Sequence, residues 1–104
     1  MNFKIFENLA DQIEDIPEGS IVSKTIENND AYKTVIFGFD TGQELSEHQT
    51  PMHAMIYFVS GEMDLSLGGE ASVAKPGTWV HMEPSLPHSV KAKEPAIMLL
   101  VMVK

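Results

Sequence analysis

The sequence predicts an all-β fold, a small sandwich or barrel, and three observations lead there. From residue 20 onward the apolar positions alternate or form short β-branched and aromatic runs. Turn formers interrupt these runs at regular intervals. A chain of 104 residues with 43% apolar content suits one domain around one packed core.

Taken in order, the elements begin with Leu9, Ile13 and Ile16, whose helical spacing predicts one short turn that Pro17 would stop. Residues 1–19 are read as an N-terminal extension and residues 20–104 as the barrel. Strands are expected over Ser20–Glu27 and Tyr32–Asp40, parted by the turn formers Asn28, Asn29 and Asp30. Glu44–Thr50 and Ala54–Val59 follow, with Pro51 interrupting pairing between them. Glu62–Leu67 and Ala71–Lys75 flank Gly68-Gly69 as a hairpin, and Thr78–Glu83 opens after Pro76-Gly77. Ser89–Lys93 and Ala96–Val103 are divided by Glu94-Pro95. The last run is apolar on both faces, so one face fills the interior and the other needs cover from the N-terminal segment or a second subunit, and a homodimer is expected.

Composition narrows the chemistry. Fifteen acidic against seven basic side chains give a net charge of −8, which repels nucleic-acid phosphates and anionic membranes. The acidic residues flank turns, as solvated loops do. The chain has no cysteine, so disulfides, thiolate nucleophiles and Cys-ligated metals are excluded. Its start lacks a signal-peptide layout and no run is long and apolar enough to span a bilayer, so a cytoplasmic location is expected.

Two histidines stand at fixed distances from glycines: Gly42 precedes His48 by six residues, and Gly77 precedes His88 by eleven. Neutral imidazoles at equivalent points of two β segments can converge inside a barrel and bind a divalent transition metal. These segments, with Gly61, resemble the two motifs of a small single-domain cupin of the conserved cupin 2 barrel type. The resemblance spans at least residues 42–93 and implies a double-stranded β-helix, the cupin jelly-roll barrel. Tyr57-Phe58-Val59-Ser60-Gly61-Glu62 and Pro84-Ser85-Leu86-Pro87-His88 also resemble small-cupin wording. Of the family's four ligand positions, His48 and His88 match, whereas the second His falls on Thr50 and the Glu on Ala54. Pro84 lies one residue later than the second motif places its proline, and Ala92 stands at its terminal Asn.

His53 is the candidate to complete the ligand set. Regular alternation turns it to the face opposite Ala54, Ile56 and Phe58, but the bend at Pro51 can re-aim it inward. His48, His53 and His88 are therefore the expected metal ligands, for Zn, Ni, Mn, Fe or Cu. Glu44 shares parity with His48 if the strand is regular, although a surface position is the ordinary reading for a glutamate. His81 and Gln43 are weaker candidates, His81 with either face open to it and Gln43 beside the first motif glycine. Met52, Met55, Phe58, Trp79 and Met82 would either line a small-molecule cavity or fill the core.

The resemblance implies a small-molecule ligand and leaves the reaction open, since oxygenases, isomerases, lyases and sugar sensors share this fold. Two further readings remain beside the metal pocket: a metal-free binding module, and a structural cupin whose site has decayed.

Overall fold

A computed structural model describes residues 2–104; Met1, the first residue of the expected extension, lies outside the described residues. All nine expected strands are present, each with ends within two residues of the expected ones: β1 Ile21–Asn28, β2 Tyr32–Phe39, β3 Glu44–His48, β4 His53–Ser60, β5 Met63–Leu67, β6 Glu70–Ala74, β7 Trp79–Met82, β8 His88–Ala92 and β9 Ala96–Val103. They form two antiparallel sheets. One has the order β1-β2-β9-β4-β7 and the other β3-β8-β5-β6.

Facing sides of the two sheets bury Phe39, Ile56, Phe58, Met63, Met82 and Met98, and full burial of each such side chain contributes about 1.5–3 kcal/mol. Alternation sorts the residues as period 2 requires. On β4, Ala54, Ile56 and Phe58 are buried, whereas His53 and Tyr57 are exposed. On β8, His88, Val90 and Ala92 are buried while Lys91 is exposed.

The expected N-terminal turn is a short 3₁₀ helix, Leu9–Gln12, capped by the Asn8 side chain, which accepts from the Ala10 N–H at 3.1 Å. Beyond it Ile13 and Ile16 rest on the outer side of the five-stranded sheet over Gly38, where a Cβ would come within 2.8 Å of Ile13 and 3.0 Å of Ile16. Ile36, on the same outer side, is fully buried. The segment thus supplies part of the cover that the sequence assigned either to it or to a second subunit. Asp40 fastens it to the barrel: one carboxylate oxygen accepts from the Gly19 N–H at 2.6 Å. The N–H groups of Gly19 and then Thr41 hold that carboxyl below the usual carboxylate range.

Just past the C-terminal end of β4, Gly61 has a φ of +77°, and a Cβ there would lie 2.3 Å from the Pro95 carbonyl oxygen. Only glycine meets both conditions. Among the described residues no helix is long and apolar enough to cross a membrane.

Candidate functional site

The first motif glycine starts the strand that carries His48. Gly42, at φ +81°, turns the chain after β2, and its N–H bonds the Ala92 carbonyl at 2.8 Å while Ala92 N–H bonds Gln43 at 2.9 Å. That exchange sets the register of β3 against β8: Glu44 lies opposite Lys91, Leu45 opposite Val90, and His48 opposite His88. Three steps on β3 therefore match two on β8. A one-residue bulge lies between Leu45 and His48, and it changes which face His48 presents. In a regular strand His48 would face away from Leu45, which packs on the core. With the bulge, His48 joins His88 instead.

The two rings meet with centroids 4.2 Å apart and planes tilted by 59°. His88 is buried, 6% exposed, and His48 is exposed at the rim. Each ring uses Nδ1 locally: His48 donates to the Ser46 carbonyl at 2.7 Å and His88 to the Leu86 carbonyl at 2.9 Å. A carbonyl can only accept, so Nδ1 carries a proton in both rings, and in the neutral form of each ring the Nε2 lone pair is left free. The pair is thus two oriented acceptors.

Two loops frame the pair. Ser85, in the β7–β8 loop, has a φ of +69° and donates its N–H to the Thr50 carbonyl at 2.7 Å, tying that loop to the one between β3 and β4. Such a conformation costs a residue other than glycine about 1–2 kcal/mol, a cost the tie between loops helps to offset. On the other flank the Gly68 N–H bonds the Pro87 carbonyl at 2.8 Å. Between these loops Glu47, His48, Gln49 and Pro87 line an open depression of ≈ 310 Å³. A larger groove of ≈ 500 Å³ runs between the N-terminal segment and β1, and none of the four histidines lines it.

His53, the third residue of the expected set, is placed away from the His48–His88 pair. The bend at Pro51 does not re-aim it: β4 is regular from His53 to Phe58, so His53 lies on the outer face of the five-stranded sheet while Ala54 takes the inner one. Its Nδ1 meets Nε2 of His81 at 3.0 Å, on the outer face of β7. Glu44, opposite exposed Lys91, also faces outward, because the bulge breaks the regular parity that linked it to His48. Phe58 and Met82 belong to the packed core, and Trp79 is exposed on the outer side. Alternation, taken strictly, pointed His53 outward. The bulge in β3 has no proline or glycine to announce it.

The fold is shared with known proteins. Residues 35–103 match the family model described as the cupin domain. The chain belongs to the cupin family. This cupin is similar to a conserved protein of unknown function from Streptococcus pyogenes, with 28% identity and a TM-score of 0.84 over 99% of this chain and 92% of that one. It is also similar to a cupin 2 conserved barrel domain protein from Leptotrichia buccalis, at 30% identity and a TM-score of 0.86, covering 92% of this chain and 46% of that one. KdgF from Halomonas sp. shares 26% identity at a TM-score of 0.76, over 86% and 82% of the two chains. No curated protein matches this cupin.

The family resemblance implies a metal, and the residues of this cupin do not make its full ligand set. His48 and His88 keep two imidazoles, Thr50 offers a hydroxyl, and Ala54, 1% exposed, has no donor on the inner face of β4. Among the described residues no group of three His, Cys, Asp or Glu side chains is placed to hold an ion.

Proposed function

We propose that this cupin is a small-molecule-binding module whose ligand donates hydrogen bonds to His48 and His88. The observation that carries the reading is the pair of free Nε2 acceptors, oriented by backbone carbonyls, with His48 of the pair lining a depression of ≈ 310 Å³. Small-molecule sites start at roughly 300 Å³, so the ligand is compact. Acceptors call for a donor, and the net charge of −8 disfavours anions. A neutral molecule rich in hydroxyls meets both conditions, and Gln49 at the rim supplies an amide able to donate and accept.

The test is a thermal-shift screen of small polyols and sugars on chelator-treated protein. A ligand specific for the folded state stabilises it by mass action, about 2.7 kcal/mol at one hundred times Kd. The expected result is a Tm rise in the native chain that His88→Phe and His48→Phe abolish. Equal shifts in native and variant proteins, or no shift with any compound, would overturn the reading.

A second reading places a divalent ion on His48 and His88 alone. The same free Nε2 atoms favour it, because metal-bound histidines commonly donate their other ring N–H to a carbonyl. Zn, Ni, Mn, Fe and Cu all accept imidazole. Elemental analysis of protein purified without chelator decides it: metal that disappears in His48→Ala and His88→Ala supports this reading, and metal far below one per chain after supplementation removes it.

A further inference from the structure

The chain's four histidines fall into two pairs, and the second pair has no part in the site at the barrel mouth. His53 and His81 lie on neighbouring strands β4 and β7, both exposed, with ring planes within 11° of parallel and centroids 5.2 Å apart. Their facing nitrogens, Nδ1 of His53 and Nε2 of His81, are 3.0 Å apart. The rings lie nearly edge to edge, so the facing nitrogens point at one another; a turn of each exposed ring about its Cβ–Cγ bond brings both lone pairs toward a common ion, and with metal–nitrogen bonds of about 2.0–2.1 Å the 3.0 Å spacing corresponds to roughly 90–100° at that ion, the angle between neighbouring ligands in square-planar or octahedral coordination.

We propose that His53 and His81 form a divalent-metal site on the outer face of the five-stranded sheet. The ions it suits are those that favour imidazole, Cu²⁺, Ni²⁺ and Zn²⁺, with two protein nitrogens as ligands and water in the remaining positions. In the metal-free pair one ring donates an N–H to the other. The ion takes the place of that hydrogen bond, and the displaced proton moves to the second nitrogen of its own ring, so charge balances without any redox step. Preorganisation comes from β-sheet pairing: Met55 lies opposite His81 and Ala54 opposite Met82, which holds both imidazoles over the same stretch of sheet. Exposure leaves the open side accessible to an incoming hydrated ion.

Trp79 reports on this site. It is the single tryptophan, 59% exposed, and its ring lies 6.4 Å from His81 and within 16° of parallel. Titration of the native protein with CuCl₂ and NiCl₂ in a non-coordinating buffer should quench Trp79 fluorescence in a saturable curve. Loss of a ligand costs at least as much as loss of an outer-shell partner, so His53→Ala and His81→Ala should each weaken binding about tenfold or more. The double variant His48→Ala/His88→Ala should leave the curve unchanged, which separates this proposal from any ion at the barrel mouth. Quenching that survives both outer substitutions, that vanishes with the inner ones, or that is absent from the native protein would overturn the proposal. Urea midpoints of the four proteins, unchanged for the exposed positions, establish that the fold is intact.

Discussion

The two histidine pairs of this cupin differ in which side of the barrel wall they occupy. His48 and His88 meet at the mouth, each tied through Nδ1 to the backbone carbonyl two residues before it, so their free nitrogens are offered to a ligand. His53 and His81 face each other on the outside and satisfy one another. His53 is five residues from His48, yet it ends on the other side because β4 alternates regularly while β3 carries a bulge. A single extra residue in a strand decides which imidazole enters the pocket.

The largest effect expected from this division lies on β4 itself. Phe58, fully buried on the inner face, should lose about 3–5 kcal/mol of stability on replacement by alanine. Tyr57 next to it is 43% exposed, and Tyr57→Ala should cost far less in the same urea titration. Similar losses at the two positions would break the assignment of faces.

A smaller effect sharpens the metal question. Ala54→Glu restores a carboxylate at the family's ligand position on the inner face, and burying it without a partner should cost about 1–3 kcal/mol in metal-free protein. Added Zn²⁺ should recover stability there if His48 and His88 converge with it. His53→Glu, one residue away on the outside, should stay within about 0.5 kcal/mol in metal-free protein. Urea midpoints with and without zinc measure both.

The smallest effect concerns the N-terminal segment, which covers part of the outer face beyond the His53–His81 pair. Asp40 is held below its ordinary pKa by the Gly19 and Thr41 N–H groups. Its contribution to stability is therefore complete above the unfolded value and fades as pH falls through the lower folded value. Asp40→Asn should reduce protection of the Gly19 amide from hydrogen exchange at neutral pH. The difference from the native chain should shrink in acid, below roughly pH 4. A difference independent of pH would remove the carboxylate from this role.

Much of this molecule was legible in the sequence. Nine strands and their turns could be placed because alternation and turn chemistry are local properties, and the glycine-to-histidine spacings located the pair at the mouth. The identity of the site was less legible. Pro51 looked like the device that would re-aim a ligand, but pairing of β4 with β9 starts at His53 and holds it to regular alternation. The device that acts lies between Leu45 and His48, where the residues Ser46 and Glu47 carry no conformational signal. Pairing between His53 and His81 was likewise invisible, since it requires β4 and β7 to be neighbours across 28 positions of sequence.

The sequence by itself determined the all-β class, the strand boundaries to within two residues, the loss of two family ligands at Thr50 and Ala54, and the chemistry that the absence of cysteine forbids. Tertiary structure decided which histidines face which. Side-chain identity is written residue by residue, but the direction of a side chain depends on strand register, and register is set by hydrogen bonds to a strand distant in the chain.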